Sequence, residues 1–353
     1  MSLDRKDCLQ ACPVETGTPS HRIDAATASM PAPHRCDAAR GIARHGWPRH
    51  NRHHMLFDMA AAPLTGGFNP GFGAGTARND SAPAPAFPDI QASGGHMARI
   101  FITGSTDGLG LMAGQLLAQD GHRVVLHARN AERADHARRR LPGAEAIVSG
   151  DLSTLDAMRE VAEQANRLGQ FDAVIHNVGV GYRERRIETA DGLPHVFAIN
   201  VLAPYVLTAL MHRPRRLVYL SSGMHRGTAA ALDDLAWTRR RWNGADAYSE
   251  SKLYDVLLAF AVARRWPGVL SNALEPGWVP TRMGGPGAPD DLDQAHRTQA
   301  WLAVGEDEGA RVSARYFFHM KPRQPDPATR EVALQERLLA ECERLSGVAL
   351  PVE

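Results

Sequence analysis

The chain has 353 residues, and its 40 Lys and Arg residues against 39 Asp and Glu residues give a formal net charge of +1. This balance offers no electrostatic basis for binding nucleic acid. The longest apolar run, residues 196–211, contains Asn200 and Pro204 and is too short to cross a bilayer. We therefore predict neither a nucleic-acid partner nor a membrane span.

Residues 1–96 differ in composition from the rest of the chain. They hold 10 of the 23 prolines and 7 of the 16 histidines, together with Gly and Ser clusters and no sustained apolar period. Such a segment cannot bury enough apolar surface to offset the entropy lost on ordering. We predict a disordered extension over residues 1–96 and one domain over residues 97–353. Met97 abuts the first predicted strand and is a candidate translation start.

The cysteines argue against both disulfides and a zinc site. The chain has Cys8, Cys12, Cys36 and Cys342. No second pair stands at zinc-ribbon spacing, so we predict no metal, although the tract with His50, His53 and His54 leaves a metal-binding alternative open. The absence of paired cysteines suits a reducing compartment, and the extension lacks an apolar signal core. We predict a cytoplasmic protein.

Runs typical of strands alternate with runs of helical period along the predicted domain. The predicted strands cover residues 99–103, 123–127, 146–149, 173–176, 216–220, 269–274 and 315–318. The predicted helices cover residues 109–119, 131–140, 155–168, 193–211, 247–265 and 331–345. This alternation predicts the α/β class: a Rossmann-like, doubly wound parallel sheet with helices on both faces.

A glycine-containing turn follows the first predicted strand and opens the first predicted helix. Glycines let the backbone approach a pyrophosphate closely, and a helix N-terminus supplies N–H donors and a favourable dipole. The spacing is Gly-x-x-x-Gly-x-Gly rather than the commoner Gly-x-Gly-x-x-Gly, and an ordinary loop is the alternative. The predicted cofactor-binding residues of this turn are Gly104, Thr106, Gly108, Leu109 and Gly110.

The end of the second predicted strand indicates which cofactor is used. NAD enzymes usually carry an acidic residue there, which bonds the ribose 2′-hydroxyl. This chain has Arg129 instead, a forked cation suited to a 2′-phosphate. Asp107 counts against this reading, and Arg129 as a solvated loop residue is the alternative. We predict NADP(H) as the preferred cofactor, with NAD(H) possible.

Four polar residues downstream suggest proton-transfer chemistry. Tyr248 and Lys252 stand four apart, which places them on one helical face. A phenol in water titrates at about 10, and a neighbouring cation favours its ionised form. Ser222 follows a predicted strand, where open α/β sheets bind ligands, and Asn200 lies inside an apolar helical run. Each residue alone has a structural explanation, so their combination carries the prediction.

The order of these motifs resembles that of the short-chain dehydrogenase/reductase family, over residues 97–348. The retinol-dehydrogenase-like branch is the most similar, on the run Ser221-Ser222-Gly223-Met224-His225 and on Tyr248-Ser-Glu-Ser-Lys252-Leu253. Membership implies a carbonyl–alcohol oxidoreductase. His176 and Val178 depart from the family's usual Asn and Ala. Pro214 shortens a helix that helps form the usual dimer, so a homo-oligomer stays open.

The resemblance also implies roles for individual residues. Tyr248 is the general acid/base, Ser222 holds the substrate oxygen, and Lys252 binds ribose hydroxyls. Asn200 holds a water that links Lys252 to solvent. The remaining cofactor contacts implied by the resemblance are Asp151 and Leu152 at adenine, Asn177 and Gly179 at the adenosine ribose, and Pro276, Gly277 and Thr281 near the nicotinamide or pyrophosphate.

The sequence thus predicts an NADP(H)-dependent oxidoreductase that interconverts a carbonyl and an alcohol by hydride transfer. The alternative is a catalytically silent NAD(P)(H)-binding sensor or scaffold protein, which an intact Asn200, Ser222, Tyr248 and Lys252 set disfavours. Residues 282–298 are the expected substrate loop. Trp278, before this loop, and Met283, within it, mildly favour an apolar small-molecule substrate.

Overall fold

The computed structural model describes residues 97–352. The predicted extension over residues 1–96, with its cysteines and its histidine tract, lies outside these described residues. The strands are β1 (Arg99–Ile102), β2 (Arg123–Ala128), β3 (Ala146–Ser149), β4 (Ala173–His176), β5 (Arg216–Leu220), β6 (Leu270–Glu275), β7 (Tyr316–Phe318) and β8 (Lys321–Arg323). They form one eight-stranded sheet in the order β3-β2-β1-β4-β5-β6-β7-β8.

Every neighbouring pair in this sheet is parallel except β7 with β8. The strand order reverses between β1 and β4, which is the switch point at which open α/β sheets bind ligands. All residues of β8 are exposed, so this edge strand has no apolar pattern by which the sequence could reveal it. The predicted doubly wound parallel fold is confirmed for the described residues.

The helices that cover the sheet are α1 (Gly108–Gln119), α2 (Ala131–Arg140), α3 (Leu155–Arg167), α4 (His195–Phe197), α5 (Ala203–Leu210), α6 (Gly244–Arg265), α7 (Leu292–Ala295), α8 (Arg297–Val304) and α9 (Val332–Ser346). The apolar strands alternate their side chains between two cores. Phe101 packs with α3, α5, α6 and α9, whereas Ile100 and Ile102 pack with α1 and α8. Within residues 97–352 no helix is long and apolar enough to cross a membrane.

The single helix predicted over residues 193–211 is wrong in detail, because a π-helical segment at Ala198–Leu202 separates α4 from α5. Pro204, in the first turn of α5, accounts for the interruption. Proline has no backbone N–H, and its ring clashes with the carbonyl four residues earlier, which is that of Asn200. The local widening relieves this clash and sets Asn200 in an irregular turn beside the glycine-turn edge of the sheet.

The C-terminal segment covers the outer faces of α5 and α6. Tyr205 of α5 donates its hydroxyl to the Val348 carbonyl at 2.8 Å, and Trp266 donates its indole N–H to the Pro351 carbonyl at 2.7 Å. Leu338 of α9 is fully buried against α6. α9 thus packs on α6, and the residues after α9 reach α5 through the Tyr205 hydroxyl.

We expect the protein to be a monomer in solution, because separating α9 from α6 would expose a large apolar surface. Light scattering on a size-exclusion column should give the mass of one chain at micromolar concentration. A dimer mass that persists on dilution would contradict this assignment.

Leu338→Ala should lower the free energy of unfolding by about 2–5 kcal/mol, while Val332→Ala, at an exposed position of the same helix, should change it little.

Candidate active site

The three glycines of the motif that runs from the end of β1 into the first turn of α1 have different surroundings. A Cβ added at Gly104 would lie 2.8 Å from the Val178 Cα, and one added at Gly110 would lie 2.4 Å from the Asn177 Nδ2. Gly108 has a φ of +52°, and no atom lies within 4 Å of its added Cβ. The outer glycines permit close packing, whereas Gly108 borders open space at the start of α1.

The start of α1 fits an anionic ligand. No side chain caps this N-terminus, and its first turn has no acidic residue. Its backbone N–H groups and the helix dipole therefore face the open space beside Gly108, as a pyrophosphate requires. Thr106 precedes the start of α1, and Leu109 lies in its first turn.

Asn177 and Thr103 fasten the loop after β4 to the glycine turn. The Asn177 amide donates to the carbonyls of Thr103 and Gly104, both at 3.0 Å. The Thr103 hydroxyl accepts from the backbone N–H groups of Asn177 and Val178, at 3.0 and 3.1 Å. The Asn177 side chain is thus engaged in shaping the turn, and any contact with a ribose would come from its neighbouring backbone.

His127, at the end of β2, is a site residue that sequence reasoning missed. Its Nδ1 accepts from the Gly104 N–H at 3.1 Å, so its Nε2 carries the proton and donates to the Gly150 carbonyl at 2.9 Å. Burial lowers the pKa of His127 to about 4, against the raising effects of the Gly150 hydrogen bond and the Asp151 charge. A neutral imidazole therefore ties the glycine turn to the end of β3.

Asp151 and Leu152, the predicted adenine contacts, follow β3 directly. Asp151 is exposed, and one of its carboxylate oxygens accepts from the Ser153 N–H at 3.1 Å. Leu152 is buried in the core, which fixes the backbone position of the segment. The Asp151 carboxylate is thus exposed beside a backbone segment that the buried Leu152 holds in place.

A second cation accompanies Arg129 at the cofactor end of the site. Arg129 is exposed directly after β2. Arg133 in α2 donates to the Thr106 hydroxyl at 2.7 Å and to the Asp107 carboxylate at 2.6 Å. Asp107, which the sequence counted against a phosphate-bearing cofactor, is thus held in an ion pair. The sequence analysis named Arg129 at this end of the site. It did not identify Arg133, which folds back onto the glycine turn.

The loop after β6 brings Pro276, Gly277 and Thr281 to the same edge of the sheet. Gly277 has a φ of +92°, and a Cβ there would lie 2.7 Å from a carboxylate oxygen of Asp290. The Thr281 hydroxyl accepts from the Gly284 N–H at 3.2 Å, which leaves its own proton to donate. The positive φ and the close approach of Asp290 make glycine necessary at position 277.

Tyr248 and Lys252 lie on one face of α6, as their spacing predicts. The Lys252 ammonium is 5.8 Å from the centre of the Tyr248 ring. Lys252 is 4% exposed, and Tyr248 is 7% exposed. Asn243 caps the helix by accepting from the N–H groups of Ala245 and Asp246. The cap sets the start of α6, and with it the rotation at which both side chains face the sheet.

Three hydrogen bonds hold Lys252 in place. Two join α6 to the end of β5, and the third lies within α6. The Lys252 ammonium donates to the Leu220 carbonyl and to the Asp255 carboxylate, both at 2.8 Å. The Ser221 hydroxyl donates to the Lys252 carbonyl at 2.7 Å. Ser222 follows at once, and its hydroxyl oxygen accepts from the Met224 N–H at 3.3 Å, so its proton remains to be donated. Sequence reasoning missed Asp255.

Asn200 connects the π-helical segment to this group. Its amide exchanges hydrogen bonds with the backbone of Val180, at 2.8 and 3.1 Å, and donates to the Ser251 hydroxyl at 2.9 Å. A Cβ added at Gly179 would lie 3.5 Å from the Asn200 oxygen and 3.6 Å from the Lys252 nitrogen. Gly179 therefore leaves an opening on which both polar atoms converge, suited to a bridging water.

Two departures from the family pattern turn out to be structural. His176, in β4, is buried with its Nε2 at 3.0 Å from the Thr208 hydroxyl, which in turn bonds the Tyr219 hydroxyl at 2.8 Å. Val178 packs against Gly104. Both side chains are thus held by contacts within the domain.

Comparison with known proteins identifies a family of related oxidoreductases. A family model described as short chain dehydrogenase matches residues 98–290. The uncharacterized oxidoreductase AN7799 of Emericella nidulans is 45% identical over 260 residues, which are 72% of this chain and 99% of that protein. Short-chain dehydrogenase chry4 of Gibberella zeae is 39% identical over 72% of this chain and 99% of its own. Human retinol dehydrogenase 13 is 32% identical over 71% and 85%.

Solved structures share the fold. An uncharacterized protein from Mycobacterium paratuberculosis superposes with a TM-score of 0.64 at 24% identity, covering 72% of this chain and 95% of its own. A blue fluorescent protein from a metagenomic library, solved in complex with NADPH, gives a TM-score of 0.50 at 21% identity, covering 63% and 95%. At these identities the likeness concerns the fold alone.

His127→Phe should lower the free energy of unfolding by about 2–3 kcal/mol at pH 8, because the Gly104 N–H and the Gly150 carbonyl lose their partners. The folded-state pKa of His127 lies below the unfolded value. The wild-type contribution is therefore present above pH 6.5 and is lost as the pH falls towards 4. Urea unfolding at several pH values should show the difference between the two proteins shrinking over this window.

The matched control is His212→Phe, at an exposed histidine, which should change stability little at any pH. A His127→Phe variant as stable as the wild type at pH 8 would contradict the bridging role of the neutral imidazole.

Proposed function

The chain belongs to the short-chain dehydrogenase family, as its motifs predict, and we propose that it reduces an apolar carbonyl compound to an alcohol with NADPH. The relatives it matches are named oxidoreductases and short-chain dehydrogenases, and the protein is an oxidoreductase acting on CH–OH donors. The observation that supports the finer proposal is the attachment of α6 to β5. The Lys252 ammonium lies 5.8 Å from the Tyr248 ring and donates to the Leu220 carbonyl, and Ser221, which precedes Ser222, donates to the Lys252 carbonyl.

The turn and helix described above fit a dinucleotide. Gly108 offers open space beside the uncapped start of α1, where a pyrophosphate would bind. Asp151, Gly179 and Thr281 lie at the same edge and would contact the adenine, the ribose and the nicotinamide end. When bound, the nicotinamide exchanges a hydride with the substrate carbon, and the protein's residues handle the proton and the orientation.

Tyr248 transfers the proton. In the reducing direction it donates its phenol proton to the substrate oxygen, and in the oxidising direction its phenolate removes the alcohol proton. Ser222 donates its free hydroxyl proton to the same oxygen and stabilises the charge that develops there. The two residues approach from different elements, so a carbonyl between them is fixed in orientation as well as polarised.

Lys252 and Asn200 support this step. The Lys252 ammonium stabilises negative charge on the phenol oxygen and faces the opening beside Gly179, where ribose hydroxyls would bind. Asn200 faces the same opening, so a water held there would pass a proton from Lys252 towards solvent. The side chain of Asn200 is fixed by Val180 and Ser251, which makes this site rigid.

The surroundings of the site favour an apolar substrate. Trp278 is 53% exposed, and Met224 and Met283 are each 39% exposed, although most large apolar side chains of the domain are buried. Met224 lies two residues after Ser222, and the other two flank Thr281 on the loop after β6. Exposed aromatic and thioether groups around a polar reaction centre are typical of pockets for apolar ligands.

Tyr248→Phe should retain NADPH binding and lose turnover on the order of 10²-fold or more, because the general acid is removed while the ring is kept. The assay follows NADPH absorbance with aldehydes and ketones of increasing apolar size. Tyr182→Phe is the matched control, since that ring packs edge-on against Tyr248 at 6.0 Å and should contribute contact only. Undiminished turnover in Tyr248→Phe would defeat the mechanism and favour a binding protein without catalysis.

The preference for NADPH is proposed from Arg129 and Arg133. Arg129 is exposed where a 2′-phosphate would lie, and the pairing of Arg133 with Asp107 removes the repulsion that a free carboxylate would exert there. Guanidinium groups suit phosphate because they donate in a planar fork.

The ratio of kcat/KM with NADPH to that with NADH should exceed one in the wild type. In Arg129→Ala it should fall roughly 5- to 150-fold, which corresponds to about 1–3 kcal/mol. Arg133→Ala should lower the same ratio, since Asp107 then keeps only its longer ion pair with the exposed Arg282, at 3.7 Å. Arg123→Ala, at the opposite end of β2, should leave it unchanged. Equal use of both cofactors by the wild type would refute the role of Arg129.

A further inference from the structure

Lys252 and Asp255 form an ion pair inside the domain. The two residues are 4% and 2% exposed, and the Lys252 nitrogen lies 2.8 Å from the Asp255 carboxylate. They are three residues apart on α6, so one turn of the helix presents both groups to the end of β5. The only other hydrogen bond of the ammonium to a described residue that the structure shows is to the Leu220 carbonyl.

A buried ammonium needs a counter-charge. Removing a charge from water is so costly that an isolated buried lysine gives up its proton instead, and lysines in such places titrate several units below their ordinary value. Burial lowers the pKa of Lys252. The Asp255 carboxylate and the Tyr248 phenol raise this pKa by more than burial lowers it, so the net shift is upward. The burial of Asp255 raises the pKa of that carboxyl to about 6, with Lys252 acting in the opposite direction.

Other titratable groups near the pair do not supply this charge. Tyr219 of β5 faces Asp255, and burial raises the pKa of its phenol, so it stays neutral. His176 of β4 stacks on Tyr219, and burial lowers the pKa of its imidazole to about 3, so it is neutral too. Among the described residues that face the ammonium, Asp255 is therefore the one that is negatively charged at neutral pH.

We propose that Asp255 is a positioning residue for the reaction: its carboxylate keeps the Lys252 ammonium charged and directed at the opening between Tyr248 and Gly179. Asp255 touches neither substrate nor cofactor and acts through Lys252. This inference rests on the proposed role of Tyr248 and Lys252 in proton transfer, and it assigns to a residue outside the family motif the task of keeping the motif lysine functional at alkaline pH.

The composition of the chain makes a direct test practical. Among its 40 basic residues only Lys6, Lys252 and Lys321 are lysines. Lysine labelled with ¹³C at Cε therefore gives three NMR signals, whose shifts report the charge of each amine. Lys252→Met assigns the Lys252 signal, and the exposed Lys321 serves as an internal reference.

In the full-length wild type, Lys252 should remain charged through at least pH 10. In Asp255→Asn its titration midpoint should fall by about two pH units or more, while the Lys321 midpoint stays unchanged. The alkaline limb of the kcat profile for carbonyl reduction should move down with it. A Lys252 that stays charged through pH 10 in Asp255→Asn would overturn the proposal.

Glu250→Gln is the matched control. Glu250 is also a buried carboxylate on α6 and is ion-paired, but with Arg240. This variant should lower stability without moving the Lys252 midpoint. A fall of that midpoint as large as in Asp255→Asn would show general loosening of α6 and overturn the specific role of Asp255.

Asp255→Ser provides a second arm if Asp255→Asn does not fold, since a smaller hydroxyl leaves room for water while removing the charge. The NMR readout needs no substrate, so it separates the two proposals. A Lys252 midpoint that falls while the kcat profile stays in place would support the counter-charge role and contradict the role of Lys252 in the reaction.

Discussion

The site depends on the hydrogen bonds that join the end of β5 to the middle of α6. The Ser221 hydroxyl holds the Lys252 carbonyl, and the Lys252 ammonium holds the Leu220 carbonyl. These bonds cross between a strand and a helix that the sequence separates by more than twenty residues. They fix the position and the rotation of α6 against β5, and so they hold the helix that carries Tyr248 beside the strand that leads to Ser222. Asp255 completes the attachment from within α6, because the ammonium could not remain charged there without it.

The parallel sheet explains why this attachment lies beside the cofactor turn. Parallel strands place all their carboxyl ends at one edge, and the strand order reverses between β1 and β4. The turn after β1, the Asn177 loop after β4, Ser222 after β5 and Gly277 after β6 therefore converge, although they are far apart in the chain. Short cross-links make this edge rigid: the Asn177 amide and the His127 ring both bond to the glycine turn.

The sequence predicted most of this edge but few of its contacts. Buried strands were recognisable because a doubly covered sheet requires nearly continuous apolar runs, and the one-turn spacing of Tyr248 and Lys252 is a local property of helices. Exposed β8 has no such pattern. The π-helical segment had a signal in Pro204, which denies the Asn200 carbonyl its usual helical donor. The roles of His127 and Arg133 depend on contacts with the glycine turn, 23 and 27 residues earlier in the chain. The role of Asp255 depends on which side chains are buried together on one turn of α6. No hydrophobic period or sequence motif indicates such contacts. Arg129 remains a prediction.

The most direct test of the central claim is the fate of the hydrogen at C4 of the nicotinamide. The protein would be given NADPH carrying deuterium at both C4 positions and an apolar aromatic ketone or aldehyde that it turns over, and the alcohol would be analysed by mass spectrometry. The account predicts one deuterium on the carbinol carbon in every product molecule. In reactions of Tyr248→Phe, deuterium should appear at that carbon only to the extent of the variant's residual turnover. An alcohol formed without deuterium at that carbon, or no reduction of any carbonyl offered, would contradict it.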